Sequence, residues 1–161
     1  MTAMALRQFT GATSGGASEA AKYVGNQIKQ WRWQLQGSYS LGQYVKRSLN
    51  ELYQVFEECR QANWDGYEAA PVSERAFQCA YEFLEALPLG APAPSVGAEP
   101  DGHITLEWHQ SPRRTLSISV SPESDLHYAA LIGASKAYGT EPFFGEVPKE
   151  IMELIHRVTS A

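Results

Sequence analysis

Two carboxylates stand three residues apart in Asn63-Trp64-Asp65-Gly66-Tyr67-Glu68-Ala69-Ala70-Pro71. In a turn, Asp65 and Glu68 could share a hard cation through their oxygens. No third ligand lies near them in the chain. The same residue types also build corners. Gly66 can adopt positive φ at little cost, and Asn63 and Asp65 can accept from nearby backbone N–H groups. Trp64 and Tyr67 are large rings that bury well and keep one polar handle each. Pro71 disfavours a helical Ala70, and Ser73 can cap the helix that follows. A structural corner made of Asn63, Trp64, Asp65, Gly66 and Tyr67, anchored by Trp64, is therefore the expected role.

A second group of reactive residue types alternates along three apolar runs. Thr105, Glu107 and His109 interleave with Ile104, Leu106 and Trp108. Thr115, Ser117 and Ser119 interleave with Leu116, Ile118 and Val120, and His127 sits among Leu126, Tyr128 and Ala130. If short turns set the register, Glu107 falls opposite Ser117, Ser119 opposite His127, and Thr105 beside Ser119. A nucleophile also needs an oxyanion site and a pocket, which an exposed meander does not supply, so no catalytic residues are assigned. The four histidines (His103, His109, His127, His156) are scattered and form no zinc-knuckle spacing. No phosphate loop or dinucleotide fingerprint appears, so neither metal nor cofactor is expected. Gly139-Thr140-Glu141-Pro142-Phe143-Phe144-Gly145 reads as a surface loop in which Glu141, Phe143 and Phe144 could touch a ligand. The plainer expectation is that one of the two rings plugs the core beneath it.

The third group is basic and aromatic. Lys22, Lys29, Trp31, Arg32, Trp33, Lys46 and Arg47 fall in two helical patterns and could grip a partner. Residues 1–50 carry six basic residues and one acid (+6 − 1 = +5), whereas residues 51–161 carry seven and seventeen (7 − 17 = −10). Such asymmetry points to a partner held by one end, or equally to complementarity within the chain or within a dimer, with the arm lying on an acidic face. Interleaved rings and cations also suit single-stranded nucleic acid, but the acidic remainder would repel phosphate.

The corner, followed by Ala70-Pro71-Val72, resembles a group of small bacterial proteins with no established activity. Pro100-Asp101-Gly102-His103-Ile104-Thr105-Leu106-Glu107-Trp108 is similar to their second signature, and Gly139 to Phe143 with Gly145 and Pro148 is a looser third match. Position 68 is Glu where that group more often has Gly. The resemblance spans roughly residues 62–156. It implies an architecture and a bacterial origin, and no catalytic residues.

These residues need elements to hold them. Residues 1–17 are rich in Gly, Ala, Ser and Thr and are expected to be disordered. Met1 to Gly16 has one charge, Arg7, and is not expected to act as a signal peptide. Residues 18–62 read as a helical hairpin, its second helix running from Ser40 to about Arg60 with Leu41, Val45, Ser48 or Leu49, Leu52, Val55, Phe56 and Cys59 on its apolar stripe. Residues 63–161 read as an α+β core domain. A helix from Ser73 to Leu87 buries Phe77, Ala80, Tyr81, Leu84 and Leu87, and a last helix opens at Pro148 and buries Ile151, Leu154, Ile155 and Val158. Between them, the three alternating runs and a short strand at Ser95 to Ala98 make a three- to four-stranded antiparallel meander covered on one face by the two helices. Residues 133–147 read as loop.

With 43% hydrophobic and 19% charged residues the composition is that of a globular chain. No stretch approaches the ~20 apolar residues of a membrane span, and Cys59 and Cys79 read as free thiols in a cytoplasmic setting. The functional expectation is a non-enzymatic interaction module, one member of a bacterial two-component pair of the antitoxin, immunity or inhibitor kind. Its partner would be another protein, encoded by a neighbouring gene, with self-association in addition. A nucleic-acid-binding protein is the alternative, and a small hydrolase-type enzyme the second alternative.

Overall fold

The computed structural model describes residues 45–160. Within the compact unit 38–161 they form three helices and one five-stranded sheet. Helix α1 spans 45–59, α2 Glu74–Ala86 and α3 Lys149–Thr159. The strands are β1 Ser95–Ala98, β2 Ile104–Ser111, β3 Arg114–Val120, β4 Asp125–Ile132 and β5 Ser135–Pro142. They pair antiparallel in chain order, so the sheet is a plain meander. The expected first helix of the hairpin lies outside the described residues, as do residues 1–17.

Period-two alternation decides which face is covered. Ile104, Leu106, Trp108, Leu116, Ile118, Val120, Leu126, Tyr128 and Ala130 are all buried on one side. Helix α3 lays Ile151, Leu154, Ile155 and Val158 on β2, β3 and β4. Helix α2 packs on β2 and β3 through Ala76, Cys79, Ala80, Phe83 and Leu84. Its start is set by Ser73, whose Oγ accepts from the Ala76 N–H. The buried stripe of α2 is rotated from the expected one. Phe83 is fully buried, while Phe77 and Tyr81 are half-buried and turn towards α1. There the Phe77 ring meets Tyr53 at 5.1 Å and Phe56 at 4.7 Å. Leu52 and Cys59 of α1 belong to the same core as the sheet. Both cysteines are buried and free. Burial, reinforced by Glu58, raises the Cys59 thiol pKa.

The sheet has five strands rather than three or four, because the segment read as loop contains β5. Its alternation is masked in sequence. Inward positions are Ala137, Gly139 and Glu141, and outward ones are Lys136, Tyr138 and Thr140. No large apolar side chain of β5 faces the core, and the Tyr128 ring of β4 reaches under the strand at Gly139. A Cβ on Gly139 would lie 2.7 Å from the Tyr128 hydroxyl. The expected registers of Glu107 with Ser117 and Ser119 with His127 are observed.

The sheet's two edges differ. At β1, Glu51 of α1 accepts from the Val96 N–H (3.3 Å) and the buried Ser48 donates to the Pro94 carbonyl (2.6 Å). At β5 no described residue pairs with the outer edge. No helix among the described residues is long and apolar enough to cross a membrane.

Candidate functional site

The corner is a closed loop of local hydrogen bonds. Asn63 donates its N–H to the Ala69 carbonyl (2.8 Å), and its Oδ1 accepts from the Glu68 N–H (2.9 Å). One oxygen of Asp65, Oδ1, accepts from the N–H groups of Tyr67 (2.7 Å) and Ala69 (3.1 Å). The Trp64 indole N–H donates to the Ala70 carbonyl (3.0 Å). This chemistry gives Asp65 a structural job, whereas Glu68 is exposed and joins only through its backbone N–H. Glu68 adopts φ +68°, a left-handed conformation that a glycine would take without cost. Trp64 is half-buried, as an anchor should be. Tyr67 is not the buried ring its type suggested. It is 88% exposed, because the Asp65 turn spends the Tyr67 backbone on the loop and aims its side chain outward.

The corner docks on the turn before β2, so the first two signatures meet in space. Ala70 donates to the Pro100 carbonyl (2.7 Å), and Gly102, at φ +89°, lies against the Pro71 carbonyl. The turn is closed by Gly102 N–H to Glu99 O and by Glu99 N–H to His103 O, both 2.9 Å. It carries Glu99, Asp101 and His103 to the rim of the uncovered sheet face, with potential ligand atoms within 4.8 Å of one another. His103 stacks on His127 of β4, with ring centroids 6.0 Å apart and planes 10° from parallel. The histidines are thus not all scattered: antiparallel pairing brings together two that lie far apart in sequence.

The chemistry of this cluster follows from its bonds. Glu99 accepts from the Thr105 hydroxyl (2.5 Å), and His127 Nδ1 pairs with the Thr140 hydroxyl (2.8 Å). His103 Nδ1 faces both Ser119 Oγ (3.1 Å) and Asp101 Oδ2 (3.6 Å). A serine–histidine–acid relay needs the hydroxyl and the carboxylate on opposite ring nitrogens. Here they share one, so His103 cannot pass a proton from Ser119 while held by Asp101. Two carboxylates and an imidazole are a donor set that a divalent metal accepts. In this structure, however, Glu99 and Asp101 are engaged with Thr105 and with the backbone N–H of His103. Sequence spacing missed this group because its members join through a turn and two strand pairings.

Two concavities lie apart from the cluster, and none of its residues lines either. A cleft of about 260 Å³ lies between α1 and the β1 edge, lined by Arg47, Glu51, Glu107 and His109 among others. Arg47, a candidate partner contact, is paired there with Glu51 at 3.0 Å, and Lys46 is exposed. Lys22, Lys29, Trp31, Arg32 and Trp33 lie outside the described residues. A shallow apolar trough of about 350 Å³ crosses the uncovered face over Ser117, Ala129, Leu131 and Tyr138. The expected ligand loop divides. Phe143 is buried against Phe83 at 5.6 Å, Phe144 is 89% exposed, and Glu141 lies in β5. No protein-family model matches the chain, and neither the curated proteins nor the solved structures contain a match.

Proposed function

We propose that this chain is a protein-interaction module that holds its partner on the uncovered face of the sheet. The supporting observation is the trough over Ala129, Leu131 and Tyr138, an apolar strip on an otherwise hydroxyl- and histidine-bearing face. Apolar surface ringed by polar residues is what binding patches on soluble proteins look like. The reading fits one member of a two-protein pair in a bacterial cell, with α1 and the basic residues before it adding a second contact. Co-purification from the source cells tests it. A stoichiometric partner should be retained by the wild type and by a Glu74→Lys control on exposed helix surface, and lost from Ala129→Glu. A partner held equally by all three would move the contact off this face, and no stoichiometric partner would remove the reading.

A further inference from the structure

Strand β5 carries a self-complementary edge. Phe143 donates its backbone N–H to the Ser124 carbonyl (2.8 Å), with Phe143 opposite Ser124 in the β4–β5 register. In an antiparallel ladder every second residue turns both its N–H and C=O to the same neighbour. Glu141, Gly139, Ala137 and Ser135 therefore face β4, and Lys136, Tyr138 and Thr140 turn their backbone groups away from it. Among the described residues nothing bonds to those groups. Pro142 has no N–H and ends the run on one side. The turn at Gly133 and Ala134 ends it on the other. The three complete donor–acceptor residues are thus centred on Tyr138.

We propose that this edge pairs with β5 of a second copy, antiparallel about a two-fold axis at Tyr138, to give one continuous ten-stranded sheet. In that register Lys136 exchanges bonds with Thr140 of the partner subunit, Thr140 with the partner's Lys136, and Tyr138 with the partner's Tyr138. In that register the outward N–H and the outward carbonyl of all three residues are paired. Centring on Gly139 instead would oppose Lys136 to the partner's Pro142, which has no N–H to give, and leave the Lys136 carbonyl without a donor. Charges are compatible. Lys136 meets a neutral threonine, and on the helix-side face the Ser135 hydroxyl meets the partner's Glu141 carboxylate. The Tyr138 side chain, 82% exposed in the single chain, gains a cross-strand aromatic neighbour. The choice of this edge is reinforced by the other one. Long open edges invite association and natural folds blunt them, and here Ser48 and Glu51 blunt β1 while no described residue covers β5. A single strand pair buries less than a standard interface of about 800 Å² per partner, so the dimer is weak and concentration-dependent.

Because position 138 faces itself, a charge pair tests the geometry. Sedimentation of the full chain should show wild-type dimer at high micromolar to millimolar concentration. Y138K alone and Y138E alone should each weaken dimerisation about tenfold or more, through like-charge repulsion and the lost ring pair. An equimolar mixture of the two should dimerise again, with unchanged circular dichroism throughout. A wild type that stays monomeric at millimolar concentration overturns the proposal. So does a wild-type dimer whose charge variants are not restored by mixing. The outcome is separable from the proposed function, since a chain that dimerises but captures no partner keeps this inference and loses the other.

Discussion

Gly102 is where the corner and the turn before β2 touch, and replacing it with alanine measures how tightly they are wedged. Its φ is +89°, and a Cβ there would stand 2.8 Å from the Pro71 carbonyl oxygen. That oxygen is backbone, held in a segment whose Ala70 N–H is bound to Pro100, so it cannot swing aside. The left-handed conformation costs an L-residue about 1–2 kcal/mol. Forcing an extra carbon into filled space adds about 1–3 kcal/mol. Gly102→Ala should therefore lose about 2–5 kcal/mol. Gly66→Ala is the matched control: φ is +77°, but nothing lies within 4 Å of the new carbon. Its loss should be the conformational part alone, about 1–2 kcal/mol. Urea unfolding of both variants, with unchanged m-values, isolates the steric difference. Equal losses would refute the claim that the two motifs are packed against each other.

Three further outcomes are expected. Glu68→Gly should relieve the positive φ at the corner and raise stability by up to about 1 kcal/mol, net of the added chain flexibility, in the same urea assay. Leu52→Ala should cost about 2–5 kcal/mol, because Leu52 is fully buried in the common core. A loss under about 1 kcal/mol would place α1 outside the cooperative unit. The third concerns alkaline pH. Burial first, then Glu150 beside it, raises the Tyr128 phenol pKa above its ordinary 10.0. A group raised on folding contributes fully below its unfolded pKa, and that contribution is lost as pH rises through the folded value. Thermal melts should thus fall above about pH 10, and fall less in Tyr128→Phe. An identical alkaline limb in the variant would assign the loss elsewhere.

Much of the scaffold is local and was readable as such. The alternation in β2, β3 and β4, the Ser73 cap, the Pro148 start and the four buried residues of α3 follow from periodicities that each segment carries alone. The registers of those three strands follow as well, since short turns and one buried face leave little choice. Strand β5 could not be read in this way. Its inward residues include no large apolar side chain, and a tyrosine from the neighbouring strand occupies the space at Gly139, which no local pattern records. Phe77 and Tyr81 are apolar at helical spacing in either account. Only the position of α1 shows that they line its contact while Phe83 fills the centre.

The candidate site divides along the same line. Corner chemistry was legible because Asn63, Asp65 and Trp64 bond to residues at most six positions away. The exposure of Tyr67 was not, since ring type states a preference and the turn decides a direction. Glu99, Asp101 and His103 are neighbours in the chain, yet their approach to His127 and Ser119 exists only once β2, β3 and β4 are paired. The unequal edges are likewise a tertiary property. Chain order alone determines that β1 and β5 are the outer strands of a meander; whether a helix comes to cover one of them depends on the packing of the whole core.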